Sequence, residues 1–455
     1  MSGNTGVADH DELARTTLRK VTWRLGVLLF FVYVLNYLDR TNISIAKLKM
    51  QPDIALSETA FGLGAGLFFV GYVLFEVPSN MILYRVGARY WIARIMFTWG
   101  LVSMAMFLVR DEWSFYALRF LLGVAEAGLV PGVILYLSQW VPAVRRARLI
   151  SVFYIAVPVS TVIGAPLSTW LMGFTPWGLT GWQFMFLAEG FPCLVMAFVV
   201  VRYLTDKPAQ ATWLSVRQRA WLVAELERED KANSAGGHRA GSLRAAVRDR
   251  GVLGMSFAFF AMIIPLYAMA FFLPTIVRQM GSFSTGQIGW LTAIPYVFAA
   301  LAMWLLARNS DRTGERTRHY VVPALAGVAG LVLGALSLTG SPLLALTGFT
   351  LAAIGCISTL PVFWAHAPYL LSGPATATGI AFITAVGNLA GFVSPYMVAL
   401  IKGDGPGQGH SSAAVLVTAV FLTGAAVAMA GVGRRIRRRS GVAAGAPATQ
   451  PSANT

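Results

Sequence analysis

Apolar runs of about twenty residues, separated by short clusters of charge, recur along this chain from residue 24 to residue 433. A helix rises 1.5 Å per residue, so one such run crosses the roughly 30 Å hydrocarbon layer of a bilayer once. In lipid each backbone amide has to be satisfied inside the protein, and a helix does this within its own segment. The runs lie near residues 24–46, 60–84, 91–109, 113–140, 148–174 and 181–204, and again near 251–277, 286–307, 319–339, 342–366, 372–401 and 411–433. They predict an all-α integral membrane protein with twelve transmembrane helices in two pseudo-symmetric six-helix bundles. A composition of 56% hydrophobic and 12% charged residues excludes an ordinary soluble domain.

The net charge of +16 would suggest a nucleic-acid partner in a soluble protein. Here the basic residues follow membrane topology. With both termini in the cytoplasm, 29 of the 36 Lys and Arg residues fall in or beside interior segments, and only Lys47, Lys49, Arg110, Arg278 and Lys402 fall in outer loops. The positive-inside rule therefore orients the chain as a multi-pass protein of the inner cell membrane and removes the need for nucleic acid. The polar N-terminus precedes an apolar run too long for a signal peptide. The expected organisation is a cytoplasmic tail over 1–23, a six-helix bundle over 24–204, a cytoplasmic linker over 205–250, a second bundle over 251–433 and a disordered tail over 434–455. In the linker, Trp213, Leu214, Trp221, Leu222 and Leu226 recur near helical spacing and predict an amphipathic helix on the membrane surface. Cys193 and Cys356 lie inside apolar runs and read as packing residues. No metal-ligand spacing and no nucleophile with its base stands out, so neither a metal, a cofactor nor an enzyme is expected.

A charge near the bilayer centre costs roughly 3 kcal/mol even on the lenient insertion scale, so each ionisable group within a span needs a reason. Away from the span ends these groups are Asp39 and Arg40 in the first span, Glu76 in the second, Arg119 and Glu126 in the fourth and Glu189 in the sixth. Arg40 is the candidate anion anchor, because a guanidinium offers a planar fork of donors that matches a carboxylate. The alternative is that Asp39 simply neutralises it, although successive side chains on a helix diverge by about 100°. Arg119 and Glu126 are two helical turns apart, share a face and each need a partner from another helix. One arrangement pairs Asp39 with Arg119 and leaves Glu126 in a less polar pocket, suited to loading and releasing a proton; the other is a static ion network that fixes packing. Glu76 reads as a gate or a packing group, Glu189 as structural, and His366 as a satisfied polar residue. Tyr37, Tyr72, Trp364 and Asn388 offer amphipathic walls and donors for the cavity. Gly123, Gly128 and Pro131 within a span allow close helix approach and kinks.

Several stretches carry a resemblance: NYLDRTNISIA (36–46), FEVPSN (75–80), RFLLGVAEAGLVPG (119–132), PVFW (361–364) and GNLAGFVSPY (387–396). Arg85-Val86-Gly87 after the second span and Ser310-Asp311-Arg312-Thr313-Gly314-Glu315-Arg316 after the corresponding span of the second half repeat one loop pattern, with Tyr84 where Asp is usual. Together they resemble the major facilitator superfamily, and within it the anion:cation symporter family, similar to bacterial tartrate, phthalate, sugar-acid and hydroxyphenylacetate permeases. The resemblance implies a monomeric alternating-access transporter that imports a small organic anion with protons. It implies that Arg40 holds the substrate carboxylate, and that Asp39 and Glu126 carry coupling protons with Arg119 beside them. It also implies that Thr384, where the family often has Asn, helps read the substrate, and that Arg85, Asp311 and Arg312 serve gating or structure. An organic-anion antiporter or a sodium-coupled carrier on the same scaffold stays open.

Overall fold

A computed structural model describes residues 3–235, 248–370, 375–404 and 408–439, and no strand occurs among them. The chain divides into two compact units. The first, Met1–His238 with Phe283–Ala293, holds α1 (Gly3–Asp53), α2 (Glu58–Val86), α3 (Ala88–Ala105), α4 (Glu112–Glu126), α5 (Leu129–Ser138), α6 (Ala143–Leu171), α7 (Gly181–Tyr203) and α8 (Val216–Ala235). The second, Arg239–Ser282 with Ile294–Thr455, holds α9 (Arg250–Met280), most of α10 (Thr285–Thr313), α11 (Thr317–Ser337), α12 (Pro342–Leu370), α13 (Ala375–Lys402) and α14 (Gln408–Arg439). Among the described residues, 11 helical stretches are long and apolar enough to cross a membrane, with α4 and α5 forming one broken span; Ile155–Leu171 in α6 is a shorter apolar stretch.

Polar residues set where the apolar helices begin. Ser57 accepts the Ala60 amide at 3.0 Å, Asp111 and Ser114 form a reciprocal capping box, and Asp249 accepts the amides of Gly251 and Val252. Each supplies an acceptor to amides that have no partner in the first helical turn.

Without water as a driving force between helices, small residues decide where they meet. In the first unit α2 packs on α4, α3 on α7 and α1 on α6. A Cβ on Gly123 of α4 would run into the Phe68 carbonyl of α2 and stand 3.0 Å from the Tyr72 amide. Gly71 meets the Phe120 carbonyl in the same way, so the two backbones touch. In the second unit α11 packs on α12 through Gly327 against Gly355 and Gly330 against Gly348, and α9 packs on α13 and α14.

At three places the helices and their packing add to what the apolar runs alone suggest. α1 runs unbroken through the expected tail and beyond the expected outer end of the first span. Its polar N-terminal part is held by contacts with the linker and the end of α7: Lys20 donates to Gln218 at 3.2 Å, Asp9 pairs with Arg217, and Arg24 lies 3.9 Å from the Tyr203 ring centre and 4.9 Å from that of Trp213. At the other end Lys47, expected in an outer loop, is buried and pairs with Glu58 at 2.6 Å. Beyond this pair the helix continues to Asp53. The apolar face of the linker turns onto protein, since Leu214 and Leu222 are buried and α8 packs on α1. Finally, α14 extends to Arg439, inside the expected disordered tail; residues 440–455 and 236–247 lie outside the described residues.

Candidate functional site

The fourth span breaks where its sequence demands it. Gly128 adopts φ +88°, a left-handed conformation that a side chain disfavours, and a Cβ there would also come within 2.5 Å of Ser79 Oγ. α4 therefore ends at Glu126, and α5 begins at Leu129. The break leaves Glu126 fully buried on the last turn of α4, against Arg40 of α1. Arg40 Nε donates to Glu126 Oε1 at 2.7 Å, and Arg40 Nη2 donates to the same oxygen. The other carboxylate oxygen, Oε2, is buried and completes no hydrogen bond of good geometry among the described residues. Around the Arg40 guanidinium stand Tyr72, Phe68 and Tyr37, with ring centres at 5.1, 5.3 and 5.8 Å. Arg119, two turns before Glu126, is buried with its guanidinium 5.0 Å from the Phe68 ring centre. One aromatic ring thus stands beside two permanent cations.

Asp39 turns the other way. It accepts from Trp99 Nε1 at 2.8 Å, from Ser103 Oγ and from Asn42 Nδ2 at 3.3 Å. The expected pairing of Asp39 with Arg119 is therefore not made: Arg119 forms no ion pair among the described residues, and its Nε has no partner there. Three neutral donors, two of them from α3, take the place a cation was expected to fill. Asp39 does not neutralise Arg40 either, as the divergence of neighbouring side chains requires. Glu76 is half-buried, one turn beyond Tyr72, and its backbone carbonyl accepts from Asn80 at 2.8 Å. Glu189 on α7 is buried and accepts from Ser168 of α6 at 2.6 Å.

Tyr37, Arg40 and Tyr72 come together in the first unit, whereas Trp364, Thr384 and Asn388 belong to the second. There Trp364 packs edge-on against Phe259 and Phe363, at 5.2 Å from each. Thr384 Oγ1 donates back to Ile380 O at 2.9 Å, one turn before Asn388 on α13. His366 is buried with Nδ1 2.8 Å from Val362 O.

The loop residues sort differently from the sequence pattern. Arg85 is exposed, and the α2–α3 turn is held instead by the next basic residue. The Arg89 amide donates to Asp206 Oδ1 at 2.9 Å and its Nε to Val201 O at 2.5 Å, beside Gly87 at φ +98°. In the second unit Asp311 pairs with Arg316 at 2.6 Å, while Arg312 is exposed. Glu315 accepts both the Arg318 and His319 amides, at 2.8 and 3.2 Å, at the start of α11. Burial works to raise the Glu315 carboxyl, but these amides and the His319 ring outweigh it and hold the group below its ordinary range.

The sequence profile of the Major Facilitator Superfamily matches residues 29–395 of the chain. A protein of Agrobacterium vitis provisionally named a tartrate transporter is 46% identical over 422 residues, covering 91% of this chain and 95% of its own. A Pseudomonas putida protein, provisionally named metabolite transport protein NicT, is 40% identical over 418 residues, covering 91% and 94%. Among solved structures, the partially occluded inward-open conformation of the xylose transporter XylE from Escherichia coli matches with a TM-score of 0.71 over 90% of this chain and 98% of that one. At 15% identity this is a likeness of fold.

Proposed function

The chain belongs to the Major Facilitator Superfamily, and from that premise we propose that it imports a small organic anion by proton symport through alternating access. The substrate class is a carboxylate such as tartrate, a sugar acid or an aromatic acid. The carrier works as a monomer in the inner cell membrane with both termini in the cytoplasm, a reading that the distribution of Lys and Arg supports.

The observation that carries the proposal is the hold of Glu126 on the Arg40 fork. While Glu126 is ionised, an internal carboxylate occupies the donors that suit an external one. A proton on Glu126 removes that charge and frees the fork, so an anion docks on Arg40 as the proton arrives. The exchange of one carboxylate for another keeps the local charge balanced, which lowers the penalty of enclosing it in an apolar wall. Tyr37 and Tyr72 flank the fork with apolar faces and a hydroxyl each. Asp39, held by neutral donors, is the second proton carrier. Release to the cytoplasm follows when the proton leaves Glu126 and the internal carboxylate reclaims Arg40.

Transport in proteoliposomes tests this. Uphill tartrate uptake driven by a pH gradient is expected to collapse with a protonophore, and Glu126→Gln is expected to abolish accumulation while retaining counterflow. Uptake that persists with the protonophore and follows a sodium gradient would overturn the proton assignment in favour of sodium coupling.

A further inference from the structure

The proton scheme above leaves one buried acid unused. Glu189 is 5% exposed in the middle of α7. Ser168 Oγ donates to its Oε1 at 2.6 Å, while Oε2 is buried and completes no hydrogen bond of good geometry among the described residues. The titratable groups that face it are Asp39 of α1 and Cys193 one turn along its own helix; among the described residues α3 and α6 present no ionisable group to it, and no cation forms an ion pair with it. An ionised carboxylate here has the Ser168 hydroxyl on Oε1 and, among the described residues, no further donor than the Asn42 amide, whereas a proton on Oε2 makes that oxygen a donor in its own right.

Asn42 stands between the two acids. Its Nδ2 donates to Asp39 Oδ1 at 3.3 Å, and the same carboxamide lies beside the Glu189 carboxyl. The two hydrogens on Nδ2 can serve both carboxylates while both are ionised, but the single amide oxygen is the end that accepts once one acid holds a proton. With its donor on Asp39, its oxygen is available to accept a proton-bearing Glu189; rotated, it donates to an ionised Glu189 and its oxygen accepts from a proton-bearing Asp39. The α3–α7 crossing holds this geometry: a Cβ on Gly100 would stand 2.9 Å from Cys193 Cβ and 3.2 Å from the Gly190 carbonyl. Because α3 also carries Trp99 and Ser103, movement of α7 reaches the donors of Asp39.

We infer that Glu189 is a third proton-carrying carboxyl of the transport cycle, coupled to Asp39 through the orientation of Asn42. The inference rests on the symport reading and deepens it. A proton bound by one acid favours the amide orientation that holds the other ionised, so the pair titrates jointly rather than as two independent groups. Each proton enters from, and leaves to, the water on the side where the cavity is open.

The test measures uptake against pH in proteoliposomes, with proton entry followed by a trapped dye, for wild type, Glu189→Gln, Glu189→Asp and Asn42→Leu. The Glu189→Gln change keeps the size and the Ser168 contact but removes the titration. It is expected to shift the midpoint of the pH profile by about one unit, with tartrate affinity at fixed pH unchanged within about twofold. Glu189→Asp is expected to stay closer to wild type. Asn42→Leu is expected to shift the midpoint as Glu189→Gln does, and the double variant to shift it no further. A Glu189→Gln midpoint equal to that of wild type, while wild type carries protons with substrate, would overturn the role of Glu189 alone. Absence of proton entry with wild type would instead overturn the symport reading. Should Glu189→Gln fail to accumulate in the membrane, an unchanged midpoint in Asn42→Leu overturns the coupling on its own.

Discussion

On the proposed reading Arg40 binds the substrate through shape as well as charge, so its replacement by Lys is a sharper test than its removal. A lysine keeps the cation but offers a point charge where the fork places paired donors. Calorimetric titration with tartrate at fixed pH is expected to show binding weakened about 10- to 100-fold in Arg40→Lys and lost in Arg40→Ala, in keeping with about 1.5–3 kcal/mol for a charge-assisted hydrogen bond. Wild-type affinity in Arg40→Lys would remove the fork from the account. The candidate residues of this site were conspicuous in the sequence because a charge within an apolar run is costly and rare. Their partners were not. Arg40 meets Glu126 across 86 residues, and Asp39 meets Trp99 and Ser103 across 60 and 64. A Trp and a Ser in an apolar run are unremarkable until the faces of α1, α3 and α4 are known. That is why Arg119 could be paired with Asp39 on paper.

At the scale of the element, the α2–α4 crossing and the start of α11 each give a test. Gly123→Ala would press a methyl against the Phe68 backbone, which cannot move as a flexible side chain would. It is expected to cost roughly 1–3 kcal/mol and to lower the thermal midpoint in detergent, with a loss of tartrate affinity as Tyr72 and Arg119 are displaced. Gly431→Ala in α14, which has open space around it, is expected to leave both unchanged or slightly improved. Equal behaviour of the two variants would refute the close-contact argument. Glu315 caps α11 with its carboxyl held low, so its stabilisation is present above the ordinary Glu value of about 4.3 and is lost as pH falls through the lowered one. Glu315→Ala is therefore expected to cost up to about 1 kcal/mol at pH 7, and the gap from wild type to narrow below about pH 4 in thermal melts. Helix existence was legible from hydropathy alone, but helix ends were less so. The burial of Lys47 depends on Glu58, and the break after Glu126 on the backbone of Gly128, neither of which changes the hydropathy of its span.

Across the whole molecule, the alternation of apolar runs and basic clusters made the membrane architecture readable before any family was considered. The fate of the linker was not readable from the same pattern, because an amphipathic helix has the same periodicity whether it rests on lipid or on protein. Only the burial of Leu214 and Leu222 decides between the two surfaces. α1 adds a mechanical consequence. At 51 residues it is a rod of about 75 Å, well beyond the thickness of a bilayer. One stiff body is gripped near one end by Arg217, Gln218 and Trp213, carries Arg40 and Asp39 along its length, and is clamped near the other by Glu58. The linker contacts, Arg40 with Asp39, and the Glu58 pairing are thereby strung on one unbroken helix, with no loop between any two of them.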